Sequence, residues 1–359
     1  MKDEVKNILK VSSVYLATII GAGFASGQEI IHFFTQYGRG GIYGIILSGI
    51  LFAVSGYIIM EKVYMGRVRN FEELIFPMTG LIFGRIVELI STLFLFLVYC
   101  VMIAGMGSTL SELVKLPLLY NNIIISIISM IIILVGVEGV ARLSTLLAPA
   151  LIIGIVGVGL FIIIIRDKEV FKLLKTIDIA ATIDVVTNNW IVSSLLYVSY
   201  INILSTAVLS NLLPYLKTRR IAVIGGFLGG FLLFFSAMVL NIALTPFCSD
   251  ALMGEFPVIE IVQLYSGSLK SAYKIILIFA MLTSAVASGY SAIYRISTWL
   301  KIKTKTATVI ICTMAVPLSS LGFSRLISTV YPIFGYTGLF ILILLIIDWV
   351  KSIKINLKS

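Results

Sequence analysis

Apolar runs recur along the whole chain, separated by short polar breaks. A membrane-spanning helix needs about 20 apolar residues, within a range of about 17–25. Ten stretches meet that length: 8–34, 41–60, 82–110, 120–136, 143–165, 186–212, 220–245, 272–299, 306–322 and 327–349. The runs are continuous rather than alternating, which predicts helices and not the strands of an outer-membrane barrel. The longer breaks are polar. One carries Lys62, Arg67, Arg69, Glu72 and Glu73. Another, 166–184, opens with Arg-Asp-Lys-Glu, continues as an amphipathic pattern and reads as an external surface connector. A third, 246–270, carries Pro246, Asp250, Glu255, Pro257 and Glu260.

Charge sets the orientation. With the N-terminus in the cytoplasm and the spans alternating, cytoplasmic ends and loops collect about 18 of the 27 Lys and Arg, the bias expected of a multi-pass inner-membrane protein. Both termini are then cytoplasmic and the span count is even. The connector divides the spans into a first set of five over 8–165 and a second over 185–350. An odd number in each half gives the halves opposite orientations, which is the arithmetic of an inverted repeat and a common transporter plan. The expected fold is an all-α polytopic membrane protein, with residues 1–359 as one transmembrane domain of ten helices in a five-plus-five repeat. That plan makes span one, and its counterpart span six, discontinuous.

Composition agrees and narrows the function. The chain is 59% hydrophobic and 12% charged, with a mean hydropathy of +1.10, which excludes an ordinary soluble domain. The net charge of +10 sits in loops between spans, so it gives no footprint for nucleic acid. Cys100, Cys248 and Cys312 are scattered without metal or redox spacing, and a lone histidine cannot build a multi-histidine site for a transition metal. A signal peptide cleaved near Ala22-Gly-Phe-Ala25 is the competing pattern for the N-terminus. Asp3 and Glu4 in the leader, and Ser12, Ser13, Tyr15 and Thr18 in its core, favour a retained span.

The first span is where the pattern fails locally. Gly21, Gly23 and Gly27 fall within seven positions, followed by Gln28, Glu29 and His32. Each glycine costs a helix about 1 kcal/mol relative to alanine. Irregular backbone at membrane depth survives only where protein or a wet cavity surrounds it. Residues Gly21, Ala22, Gly23, Ala25, Ser26 and Gly27 therefore read as a binding gap, with close helix packing as the alternative. Free N–H groups at such a gap suit a carboxylate and free carbonyls suit a cation. On a straight helix Glu29 lies eight residues outward of Gly21, about 12 Å. That makes Glu29 and His32 either an outer gate or proton site, or a hydrated interfacial pair.

Two other stretches carry polar residues at mid-span. Span six has Tyr197-Val-Ser-Tyr-Ile-Asn-Ile-Leu-Ser-Thr206, without glycine; its polar residues mark either a second break or a bundle-facing surface. Span eight has Thr283, Ser284 and Ser288. Membrane hydroxyls commonly bond their own backbone or a neighbouring helix, but such a pair also suits a hard monovalent cation. No phosphate loop, metal cluster or nucleophile–base pair is visible, so an enzyme is not expected.

Residues 17–41, with their small-residue break, polar half-turn and Gly38-Arg-Gly-Gly41, resemble the first span and following turn of LeuT-type amino-acid transporters. Ala280-Met-Leu-Thr-Ser284 resembles that group's sodium-coordinating segment. The chain as a whole, above all Gly21-Ala-Gly-Phe-Ala-Ser-Gly-Gln-Glu29, is similar to the YkvI-like bacterial membrane proteins of the amino acid–polyamine–organocation superfamily. The resemblance implies sodium ligands at the carbonyls of Ile20, Gly23 and Ala280 and the hydroxyls of Thr283 and Ser284. Asparagines that hold a second sodium in some relatives are Gly21 and Gly27 here, and the outer-gate arginine is Ile30. Residues 143–165 lack the lysine that replaces sodium in other relatives. The expectation is a secondary transporter of an amino acid or similar small zwitterion in a bacterial inner membrane, working by alternating access with sodium as coupling ion. Tyr99, Ser199, Tyr200 and Asn202 would complete its pocket. The competing readings are proton coupling through Glu29 and His32, and a receptor-like membrane protein that binds a small molecule without moving it.

Overall fold

A computed structural model describes residues 2–166, 187–247, 256–321 and 323–356. The connector expected over 166–184, apart from Arg166, lies outside the described residues, as does Cys248. The described chain is helical throughout. In order, the helices are α1 (Lys2–Ile19), α2 (Ala22–Ser26), α3 (Gln28–Phe33), α4 (Arg39–Met65), α5 (Phe71–Thr79), α6 (Leu81–Val114), α7 (Leu118–Leu134), α8 (Val137–Ile165), α9 (Trp190–Leu209), α10 (Arg219–Leu244), α11 (Pro257–Gln263), α12 (Gly267–Leu300), α13 (Thr304–Ser319) and α14 (Phe323–Asn356).

Six of these, α4, α6, α8, α9, α10 and α12, are long and apolar enough to cross a membrane. Shorter apolar helices cover Leu118–Leu134, Thr304–Ser319 and Thr337–Val350. Each apolar run read from the sequence falls on a helix, and the first falls on three. The short α5 and α11 lie in stretches read as loops. Helix α5 starts where the Asn70 side chain accepts the Glu73 N–H at 2.9 Å and the Glu73 carboxylate accepts the Arg69 N–H at 2.8 Å. This Asn-x-x-Glu start is a variant of the capping box.

Small residues set the tightest packing. Helices α4 and α10 meet backbone to backbone: a Cβ on Gly226 would lie 2.7 Å from the carbonyl carbon of Gly56, and one on Gly230 2.6 Å from the Ala53 nitrogen. Tyr15 of α1 wedges beside them, its ring over Gly229 and its hydroxyl donating to the Phe52 carbonyl at 2.8 Å. Helix α6 lies along α12, α7 on α13, α9 on α14, and α1 on α9 and α12.

Span six departs from expectation. Helix α9 runs unbroken from Trp190 to Leu209. Its hydroxyls return to the backbone: Ser194 to the Trp190 carbonyl at 2.7 Å, Ser199 to Leu195 at 2.5 Å and Ser205 to Asn202 at 3.3 Å. With no glycine between Tyr197 and Thr206, the ladder stays complete and the serines are absorbed within it. On α6, the Glu88 Oε1 accepts the Trp299 indole N–H at 2.7 Å.

Candidate functional site

The break in the first span is real and has two joints. Helix α1 ends at Ile19, and Gly21 is extended (φ −103°, ψ −162°). Five helical residues follow, and then Gly27 turns the chain through a left-handed conformation (φ 87°) into α3. The Ser26 hydroxyl donates to the Gly23 carbonyl at 3.1 Å and accepts the Gln28 N–H at 3.3 Å, bracing the second joint.

The two joints move Glu29 inward. The sequence estimate of 12 Å outward assumes a straight helix. Instead the Glu29 side chain folds back over Gly23, where a Cβ would overlap Oε1 and lie 2.6 Å from Cγ. Glu29 is buried, at 7% exposure. It lines a small cavity with Ile19, Gly21, Phe94, Val98, Met102, Tyr200, Ile201, Leu204 and Ser284. The cavity measures about 20 Å³, room for about one water molecule. The Tyr200 and Tyr197 phenols are the polar groups facing the carboxylate. Their rings, 5.6 Å apart, pack with Phe33, which lies 5.1 Å from Tyr197 and 5.7 Å from Tyr200. His32 is half-buried and, among the described residues, makes no ion pair with Glu29.

An oxygen cluster adjoins the cavity. The Thr283 hydroxyl lies 3.1 Å from the Ala17 carbonyl, 3.0 Å from that of Ala280 and 3.1 Å from that of Phe279. The Ser284 hydroxyl reaches the Thr18 carbonyl at 3.1 Å. One hydroxyl proton cannot serve three carbonyls, so the cluster is rich in acceptors, the chemistry that suits a hard cation. Thr283, Ser284 and Ala280 are together as the resemblance implies. The first-span carbonyls are not the pair it implies: the hydroxyls meet Ala17 and Thr18, and the Gly23 carbonyl takes the Ser26 hydroxyl instead. The reason is where α1 ends. Its last turn leaves carbonyls without helical partners, and that turn holds Ala17 and Thr18. A Cβ on Gly21 would lie 3.3 Å from Ser284 Oγ and 2.9 Å from Met102 Cε, so cavity and cluster share one wall.

Not every expected pocket residue arrives. The Tyr99 hydroxyl contacts Ser129 at 2.6 Å and Cys312 at 3.3 Å, which takes it to α7 and α13. Ser199 is back-bonded and its carbonyl abuts Gly338 of α14. Asn202 is buried beside Ser205, with its Nδ2 lacking a partner among the described residues. Tyr200 alone of the four lines the cavity. The residues the sequence did not mark are the apolar wall of Phe94, Val98, Met102, Ile201 and Leu204, together with Tyr197 and Tyr273. The Tyr273 hydroxyl donates to the Ala25 carbonyl at 2.6 Å, tying α12 to α2 beyond the break.

No family model matches the chain. Two proteins of Bacillus subtilis (strain 168) are similar to it along nearly their whole length. The uncharacterized membrane protein YkvI is 28% identical over 332 residues, 92% of each chain. The chain is a homologue of YkvI. The uncharacterized protein YyaD is also 28% identical, over 340 residues, 94% of this chain and 96% of its own. Among solved structures, MhsT in complex with L-phenylalanine matches with a TM-score of 0.69 at 17% identity, covering 93% of this chain and 87% of MhsT. A Na+-coupled sialic acid symporter matches at 0.67 and 14% identity, covering 93% and 78%. An Eremococcus coleocola manganese transporter matches at 0.64 and 15%, covering 94% and 75%. The fold is LeuT-like. These neighbours are a complex with L-phenylalanine, a sialic acid symporter and a manganese transporter, so the fold alone selects no substrate.

Proposed function

We propose that this chain is a secondary transporter of an amino acid or a similar small zwitterion, coupled to sodium. Its ten expected spans form two inverted halves that rock about the Gly21–Gly27 break. The observation that carries the reading is the acceptor-rich cluster of Thr283, Ser284, Ala280, Ala17 and Thr18, set against a buried cavity at an interrupted helix. Broken helices at membrane depth are where transporters of this plan hold substrate and ion. The sodium would sit among the Thr283 and Ser284 hydroxyls and the adjoining carbonyls. The substrate would lie next to it, its carboxylate toward the backbone N–H groups of the broken stretch. MhsT with L-phenylalanine and the Na+-coupled symporter support both halves of this assignment by similarity of fold.

The test is counterflow of a mixed amino-acid pool in proteoliposomes, with and without sodium. Sodium-dependent flux is expected, and the double variant Thr283→Ala/Ser284→Ala should abolish the dependence. A variant that keeps it in full would sink the cation assignment. A second reading has its own support: Glu29 lies in the cavity, where it could carry a coupling proton. Uptake driven by a sodium gradient at constant pH would reject that reading.

A further inference from the structure

Among the described residues, the cavity beside the break is lined by a carboxyl group and by no cationic side chain. Glu29 is buried, and among the described residues its Oε2 has no hydrogen-bond partner and the ion pairs lie elsewhere: Lys62–Asp348, Arg142–Glu138, Arg219–Glu61, Arg220–Glu4 and Lys274–Glu112. The phenols of Tyr200 and Tyr197 can donate hydrogen bonds to it but bring no positive charge. Most of the remaining wall is hydrocarbon: Phe94, Val98, Ile201 and Leu204, with the thioether of Met102. A carboxylate buried among such groups is costly unless it takes up a proton or a partner supplies the opposite charge.

We infer that Glu29 is the counter-charge for the substrate's ammonium group, and that the substrate is an amine-bearing molecule with an apolar side chain. This rests on the transport-site reading above and narrows it. The geometry gives each substrate group a place. The carboxylate of Glu29 is held over Gly23, where only a glycine leaves it room. An ammonium has three N–H donors. Glu29 Oε2 has acceptor capacity free for one of them, and Tyr200 lines the same space. The apolar wall then takes the side chain. Met102, unbranched and with its Cε beside Gly21, is the wall residue best able to swing aside, since a thioether side chain adapts to irregular space.

The test uses the purified full-length chain in proteoliposomes and radiolabelled L-leucine. Two competitors each lack one charged group: 3-methylbutylamine, without the carboxylate, and 4-methylpentanoate, without the ammonium. Saturable leucine binding is expected, competed by the amine and not by the acid. Glu29→Gln, which keeps the shape, should raise the half-saturating leucine concentration by at least about tenfold, as expected when one partner of a buried charge pair is neutralised. The competition series on the unaltered chain decides the matter even if that variant fails to fold. Absence of leucine binding, equal competition by the acid, or an unchanged half-saturation in Glu29→Gln would each overturn the inference. Binding with the expected selectivity but without counterflow would support it and refute transport alone.

Discussion

At the residue scale, the three glycines of the broken span serve three different purposes. Gly27 is required by its backbone, since a left-handed φ costs an L-residue about 1–2 kcal/mol. Gly21 is required by its neighbours, Met102 and Ser284, and Gly23 by the Glu29 side chain that lies across it. Gly23→Ala should therefore displace Glu29 and abolish substrate binding while lowering stability by about 1–3 kcal/mol, the usual range for overpacking. Gly157→Ala is the control: nothing lies within 4 Å of its added Cβ, and a helical glycine replaced by alanine gains about 0.5–1 kcal/mol. Melting temperatures in detergent, beside leucine binding, separate the two effects. The break itself was legible because glycine clusters are conspicuous in an apolar helix. The position of Glu29 was not, because it depends on two joint angles that no residue spacing encodes. The wall of Phe94, Val98, Met102, Ile201 and Leu204 was invisible for the opposite reason: in a chain this apolar, hydrocarbon residues carry no contrast.

At the element scale, hydrophobic run length located the helices but not their continuity. The inverted-repeat plan predicted an interruption in α9, its mid-span polar residues left a bundle-facing helix open as well, and the structure shows an unbroken helix with back-bonded hydroxyls. Helix α5 was readable from Asn70-x-x-Glu73 and was lost among the surrounding charges. The close approach of α4 and α10 rests on Gly226 and Gly230, since small residues let membrane helices approach closely, while Gly225 and Gly229 face α1. Gly226→Ala would press a methyl group onto the Gly56 backbone, which cannot rotate away as a side chain can. The expected cost is about 1–3 kcal/mol, read as a lower melting temperature, and Gly56→Ala should not add to it fully, because one contact is shared.

At the scale of the whole molecule, a cavity of about 20 Å³ is far below the roughly 300 Å³ at which small-molecule pockets begin, so the proposed substrate would enter only when helices separate. In a background with its cysteines replaced, Val98→Cys should react with a membrane-impermeant thiol reagent several-fold faster in conditions that open the site than in the presence of leucine and sodium. Equal rates would show that the cavity does not alternate between closed and open forms. Which helices separate is constrained by α12. It grips the first span on both sides of the first joint: Thr283 and Ser284 hold the end of α1, and Tyr273 holds Ala25 of α2. In mechanical terms α12 is a splint laid across the first of two fractures. A limb splinted along one side can bend only after one of its ties is released. One tie passes through the oxygens that the proposed cation would use; the other is a single phenol on a carbonyl. On the sodium reading proposed above, loading or emptying the first tie while the second holds would convert the presence of an ion into freedom of one half-helix and not the other.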